Sequence, residues 1–347
     1  NTVDRAQRLY KVLHSRLGSE TTLVLFHARY PADERAAKER QVLGYFGSSG
    51  CRPERALLIA TQVAEQSLDI DFDFMMSDLA PIDLLLQRLG RLHRHRRIRP
   101  EGHREARFWV AGLSHATLPD LKETAWEWVY DPYFLLRTWA LLEPKSRIVL
   151  PEDIDSLVQS VYGTVPLPEW MDEATRTEIE ITSYGKYLAK INDQNMAAQN
   201  TVIETTEEPQ SAYDRKVHSD EERVATRMGP PSVTIIPIEE TDEGLWRVPG
   251  IDPPVSPNAT LSDAQASCLY NRQIKTSYAP LVKRLVSPPA SPASRLSFDH
   301  PLLQGCVPFP LRRSASGCLE TQEETFRVLL DEELGLRYQR EGAVTKA

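Results

Sequence analysis

Gln87, Arg91 and Arg94 fall at i, i+4 and i+7 within Gln87-Arg88-Leu89-Gly90-Arg91-Leu92-His93-Arg94. On a helix that spacing lines up one amide and two guanidinium groups along a single face. Planar guanidinium forks match phosphate oxygens, and phosphoryl transfer needs cations held where negative charge develops. Gly90 costs about 1 kcal/mol relative to Ala inside a helix, which marks a place where another group approaches the backbone. An amphipathic helix with its arginines in water fits the same residues equally well. The segments upstream have to decide between the two.

Ala56-Leu57-Leu58-Ile59-Ala60 is a short continuous apolar run, the pattern of a strand buried on both faces in a parallel sheet. It leads into the polar segment Thr61–Asp71, just past the carboxyl end of that strand, where ligands of open α/β sheets sit. Leu23-Val24-Leu25-Phe26 runs in the same way into His27-Ala28-Arg29, and Phe74-Met75-Met76 precedes the arginine stretch. Strands delivering polar groups at their carboxyl ends favour the phosphate reading.

These segments, in this order, resemble motifs IV, V and VI of the superfamily 2 helicases. They are most similar to the helicase-nuclease of type I CRISPR systems. The words that carry the likeness are NTVDRAQRLY at Asn1, LVLFHARY at Leu23, ATQVAEQSLDIDFD at Ala60 and DLAPIDLLLQRLGRLHRH at Asp78. The likeness is strong over residues 1–115, weaker through Trp128–Gly163 and Val224–Ile236, and vague afterwards.

The resemblance implies roles residue by residue. Arg91 and Arg94 match the two motif VI arginines that reach the γ-phosphate of ATP across a cleft between two RecA-like domains, and Gln87 matches the glutamine that helps read that phosphate. Asp69 matches the motif V acid close to the ribose and nucleotide. Thr61, His27 and Arg29 match positions that touch the nucleic-acid backbone. Ser67 departs from the pattern, since many superfamily 2 members carry Gly there, and this weakens a literal transfer of backbone geometry. The implied cofactor is ATP with Mg²⁺, and the implied partners are single-stranded DNA and an RNA-guided surveillance complex.

A motor of this kind also needs a Gly-rich loop ending in Gly-Lys-Ser/Thr and an acidic strand end for Mg²⁺. No GxxxxGK[ST] occurs, and Tyr184-Gly185-Lys186-Tyr187 lacks both the first Gly and the terminal hydroxyl. Asp33-Glu34-Arg35-Ala36 superficially resembles a DExx box. It follows Pro31 and reads instead as a helix start, where acids meet the helix dipole favourably. No His-Asp dipeptide is present to suggest the family's HD-type nuclease centre, and Asn1-Thr2-Val3 reads as a motif entered part-way. The expectation is the C-terminal part of a larger or split enzyme. Its Walker A domain and HD nuclease would be supplied by an N-terminal portion, and the chain alone would be inactive.

The elements that must position these residues alternate. Helices are expected over 4–17, 33–46 and 82–93, and strands over 23–27, 57–60, 73–77 and 106–111. That alternation predicts an α/β fold: a second RecA-like helicase domain over 1–115 with a parallel sheet and helices on both faces. A helical connector follows over 116–200. Trp126, Trp128 and Trp139 within it are read as packing anchors rather than platforms for bases. Residues 201–231 read as a flexible acidic linker, and 232–347 as a small mixed C-terminal accessory domain. That last domain holds a hairpin of Val233–Ile238 with Leu245–Val248 and a capping box at Ser262–Gln265. A second hairpin is expected about Gly335, and a Pro/Ser-rich loop over Ser287–Ser294. The resemblance implies that this domain closes over the helicase core and helps hold DNA.

Composition limits the remaining classes. The formal charge of −8 over 347 residues argues against a protein that grips nucleic acid over its whole surface. The charge is uneven: residues 151–260 carry 21 acidic against 8 basic side chains, whereas 81–110 carry eight arginines against three acids. Local phosphate contact is compatible with that balance. Arg96, Arg97 and Arg99 either track a DNA backbone or solvate a helix end. Cys51, Cys268, Cys306 and Cys318 form no CxxC or Cys/His cluster, so no metal site is expected. No signal peptide or membrane span is read, and the expected location is the cytoplasm. Three rivals stand beside this reading: a superfamily 2 helicase of DNA repair or RNA metabolism, a non-catalytic DNA- or partner-binding module with a degenerate helicase fold, and a small-molecule α/β enzyme. The last lacks any visible nucleophile–base pair or dinucleotide fingerprint.

Overall fold

The computed structural model describes residues 1–65, 68–113, 117–200, 231–257, 259–286, 298–315, 317–323 and 325–340. The fold is α/β, and the chain forms two compact units. One comprises Asn1–Phe74, Gly90–Ala106 and Pro230–Ala347, the other Met75–Leu89 and Arg107–Gly229.

In the first unit, α1 (Val3–Arg16) starts at Thr2, whose hydroxyl accepts the Arg5 N–H at 3.3 Å, a side-chain cap for one of the orphan donors of the first turn. Strands β1 (Thr22–Phe26) and β2 (Ala56–Ala60) are parallel, in register from Thr22↔Ala56 to Phe26↔Ala60, with α2 (Ala32–Phe46) between them in sequence. Side chains of a strand alternate between faces, and β1 shows it. Val24 and Phe26 pack with Val42, Phe46, Leu68 and Ile70, whereas Leu25 packs with Ala6, Tyr30, Ile59 and Leu334. The expectation for β2 needs correcting. Leu57 is 37% exposed, so β2 is not buried on both faces, and its apolar run reports only partial cover. Asp33 and Glu34 lie in the first turn of α2, as the dipole reading expects.

The C-terminal part of the same unit is an eight-stranded sheet. Its strands are β5 (Val233–Glu240), β6 (Trp246–Val248), β7 (Ile251–Val255), β8 (Ile274–Thr276), β9 (Cys306–Arg313), β10 (Leu319–Gln322), β11 (Phe326–Asp331) and β12 (Gly335–Arg340). The order is β12-β11-β10-β9-β5-β6-β7, with β8 paired to β5; β5 and β9 are parallel and all other pairs antiparallel. Ile235 of β5 faces a core with Ile274, Leu281, Phe309 and Val328, while its neighbours Ile236 and Ile238 face a second core with Trp246, Leu261 and Leu269. Helices α8 (Asp263–Tyr270) and α9 (Ala279–Val286) pack on it. Both hairpins and the Ser262–Gln265 capping box stand where the sequence places them. The linker over 201–231, but for Pro231, and the loop Ser287–Ser294 lie outside the described residues.

The second unit pairs β3 (Met75–Asp78) in parallel with β4 (Phe108–Ala111) and carries α3 (Ile82–Leu89), α4 (Pro132–Leu142), α5 (Ile154–Tyr162), α6 (Glu173–Thr177) and α7 (Tyr184–Asn200). Ile82, Leu85, Trp126, Leu135, Trp139, Val161 and Ile179 share its core. Gly112, at φ +90°, lets the chain cross the Trp126 ring so closely that a Cβ there would sit 2.5 Å from it. Trp126 and Trp139 are packing anchors as expected, but Trp128 is 81% exposed and is not one. Tyr184-Gly185-Lys186-Tyr187 opens α7, with Tyr184 and Tyr187 against Tyr133, so that stretch is helix rather than phosphate loop. Among the described residues no helix is long and apolar enough to cross a membrane.

Candidate functional site

Helix α3 ends at Leu89, four residues before the expectation, and this corrects the alignment of Gln87, Arg91 and Arg94 on one helical face. The cause is a competing backbone partner. The Phe72 N–H donates to Arg91 O at 2.9 Å and the His93 N–H to Phe72 O at 3.0 Å, so Arg91–His93 form a bridge with Phe72 instead of continuing the helix. His93 takes φ +51°, a left-handed conformation that also stops propagation. Gln87 stays on α3, exposed, in the second unit, while Arg91 and Arg94 belong to the first.

Past that bridge an acidic and a basic segment interlock. Asp69, Asp71 and Asp73 recur at every second residue, as do His95, Arg97 and Arg99. Asp71 is 0% exposed and is held by Arg97 Nε at 2.7 Å, Arg99 Nη2 at 2.9 Å and Arg52 Nη2 at 3.5 Å. Asp73 takes Arg99 Nη1 at 2.6 Å and Arg52 Nη1 at 2.9 Å. Burial acts to raise the Asp71 pKa. Hydrogen bonding and charge from Arg99, the His95 N–H and Arg97 outweigh it and hold the carboxyl below its ordinary value. Arg97 and Arg99 are therefore spent inside the protein, which corrects both sequence readings of them. Arg96, just before them, is exposed.

This lattice fixes the backbone that carries the two candidate phosphate-binding arginines. Arg94 Nε meets Asp69 Oδ1 at 2.7 Å and its Nη1 reaches Gly90 O at 3.3 Å. The Arg94 hydrogen bond, with His95 nearby at 3.2 Å, keeps the exposed Asp69 carboxyl below its usual pKa. Arg91 donates from Nη2 to Glu65 O at 3.2 Å. Of the guanidinium groups of Arg52, Arg91, Arg94, Arg97 and Arg99, that of Arg91 alone pairs with no carboxylate among the described residues, and its Nε is buried without a hydrogen-bond partner. Burial and the neighbouring Arg94 charge lower its pKa, and Asp69 opposes them. A partly buried cation beside a second cation, with a donor left over, suits an anion.

Thr61, His27 and Arg29 collect at the carboxyl ends of β1 and β2. The Thr61 N–H donates to Phe26 O at 3.2 Å and its residue is nearly buried. His27 is fully buried. Its Nδ1 accepts the Arg29 N–H at 3.2 Å, so Nε2 carries the proton and donates to Leu334 O at 3.1 Å. Burial, with Arg29 close by, drives its pKa down to about 3. The expected phosphate contact of the His27 side chain is therefore corrected: both ring nitrogens are engaged and the ring, stacked on Tyr30 at 4.3 Å, has no open edge toward a strand. Arg29 keeps a partly exposed guanidinium, paired with Asp4 and lying 4.9 Å over the Tyr338 ring. Ser67 lies outside the described residues.

Asp71, Asp73 and Arg52 were not singled out from the sequence, yet they brace the site. The signal was present as matched alternation, Asp-x-Asp-x-Asp against His-x-Arg-x-Arg, which places each set on one side of an extended segment.

A protein-family model described as CRISPR-associated nuclease/helicase Cas3, C-terminal, matches residues 1–97. The CRISPR-associated endonuclease/helicase Cas3 of Thermus thermophilus is 35% identical over 97% of this chain; the chain spans 41% of that protein's length. A solved structure titled as a CRISPR-associated protein superposes with a TM-score of 0.81 at 34% identity, covering 98% of this chain and 37% of that one. The T. fusca Cas3 structure with ATP gives 0.74 at 28% identity, covering 97% and 38%. A CRISPR RNA-guided surveillance complex in a pre-nicking state gives 0.71 at 28%, covering 97% and 40%.

Proposed function

The chain belongs to the CRISPR-associated Cas3 helicase-nucleases, to whose C-terminal part it corresponds, and from that membership we propose that it supplies the phosphate-sensing arginines and strand contacts of an ATP-driven single-stranded-DNA translocase. The observation that carries the reading is the Arg91–Arg94 pair. Arg91 has a spare donor at Nε and, among the described residues, no carboxylate partner, and Arg94 is aimed by Asp69.

In the proposed mechanism residues 1–115 act as the second RecA-like domain, 116–200 as a helical connector, 201–231 as a linker and 232–347 as an accessory domain. ATP, when bound, supplies the phosphoryl group, with its Walker A loop and Mg²⁺ ligands carried by an N-terminal helicase and HD nuclease portion. Among the described residues no group of three or more His, Cys, Asp or Glu is placed to hold a metal. Arg91 donates to the γ-phosphate oxygens and Arg94 adds a second cation as negative charge develops. Arginine fingers in such reactions are worth on the order of 10³–10⁵ in rate. Asp69 serves both the nucleotide and the aim of Arg94. Thr61 and Arg29 hold the DNA backbone, and an RNA-guided surveillance complex delivers the strand.

The test is single-stranded-DNA-stimulated ATP hydrolysis by the chain alone and mixed with the Walker A portion of its family. Activity confined to the mixture supports the two-part motor. Equal activity from the chain alone overturns the division of the ATP site.

A further inference from the structure

The turn between β11 and β12 is seated on the loop that follows β1, and the seat is built from polar groups inside a buried shell. Leu334 O accepts from Gln7 Nε2 at 2.6 Å and from His27 Nε2 at 3.1 Å. The Tyr30 hydroxyl donates to Glu333 O, and the Leu336 N–H donates to Arg29 O at 2.7 Å. Gly335, at φ +68°, runs so close that a Cβ would stand 2.6 Å from Arg29 O and 3.1 Å from His27 Cε1. The His27 ring, the Tyr30 hydroxyl and the Arg29 carbonyl of the loop 27–30 are thus bonded to the turn, and the Arg29 N–H is held through His27.

The contact ends on one cation. Arg29 has its N–H bonded to His27, its C=O bonded to Leu336 and its guanidinium over Tyr338, which is itself stacked on Tyr278 at 4.1 Å and hydrogen-bonded to Thr276 at 2.6 Å. A long flexible side chain held on an aromatic face loses rotamer freedom before any ligand arrives, and preorganisation of that kind raises affinity. We propose that Tyr338 and the β11–β12 turn are positioning elements that present Arg29 to a nucleic-acid phosphate, so that the C-terminal sheet sets strand affinity through Arg29. This rests on the strand-binding role proposed above and deepens it.

The experiment measures oligo-dT affinity of the enzyme containing this chain across a salt series. Each phosphate contact to a single strand contributes a slope of about 0.7 in log K against log salt. Arg29→Ala should lower the slope by about that amount, and Tyr338→Leu should match it, with affinity reduced roughly fivefold. Tyr338→Phe, which keeps the ring, should restore slope and affinity. A merely structural loss lowers the folded fraction without moving the slope. If Arg29→Ala lowers the slope and Tyr338→Leu does not, the positioning role is overturned while strand binding stands. If the parent enzyme binds no DNA, or Arg29→Ala leaves the slope unmoved, the strand-binding reading of Arg29 fails and the positioning role with it.

Discussion

Asp71→Asn is expected to destabilise the protein by about 3 kcal/mol while changing the side chain by a single atom type. Removing one partner of a buried ion pair costs roughly 3–5 kcal/mol because the remaining charge is left uncompensated. Asp71 is 0% exposed and faces three guanidinium groups. Two of them, Arg52 and Arg97, keep 23% and 22% of their side chains in solvent and can be partly rehydrated, which moves the expectation to the lower end of that range. Arg99 retains Asp73 as a partner. Urea unfolding of parent and variant at neutral pH measures the difference. The pH dependence gives an independent sign. The Asp71 pKa is depressed in the folded state, so its contribution is fully present above the unfolded carboxylate value, about 3.9, and is lost as pH falls through the folded value. Parent and variant should therefore converge only in acid. A neutral-pH loss under about 1 kcal/mol would refute the reasoning, since that is the worth of an exposed salt bridge.

Other outcomes follow from the same structure. His27 is buried neutral with its pKa near 3, so folding should lose up to about 1.4 kcal/mol per pH unit as pH falls below about 6.5, and His27→Gln should abolish that slope in urea titrations between neutral and mildly acid pH. Gly335→Ala combines a left-handed φ with a 2.6 Å clash against backbone, so a loss well above 1 kcal/mol is expected; a neutral effect contradicts the seating of the turn. Ser262→Ala removes the capping box of α8 and should cost about 1 kcal/mol in thermal or urea unfolding. Trp139→Ala, in the core of the second unit, should cost roughly 3–5 kcal/mol, and a cost near that of a surface change would contradict its place there.

Local signals in the sequence carried far. The apolar runs Leu23–Phe26 and Ala56–Ala60, the capping box at Ser262 and the turn at Gly335 are patterns written within a few residues, and each stands in the structure as a strand, cap or turn. What escaped depends on distant partners. The end of α3 is set by Phe72, which captures the backbone of Arg91 and His93; within 82–93 only Gly90, a weak helix former directly after Leu89, hinted at it. His27 looked available because it stands just past the carboxyl end of the apolar run Leu23–Phe26, yet the carbonyl that occupies it belongs to Leu334. Arg97 and Arg99 looked free for DNA because their carboxylates lie more than twenty residues upstream, although the matched alternation of acids and bases recorded the pairing. Arg91 and Arg94 stand on a different scaffold from the one their spacing suggests: a bridged turn braced by ion pairs rather than a helical face.

The proposed function turns on Arg91. The most direct measurement is the single-turnover rate of DNA-stimulated ATP hydrolysis by the enzyme containing this chain, with Arg91→Ala compared against the parent and nucleotide affinity measured alongside. A rate lower by about 10³-fold or more with nucleotide still bound is expected, since the missing cation acts chiefly on charge that develops in the transition state. A rate within a few-fold of the parent would show that no phosphate meets Arg91 and would contradict the assignment.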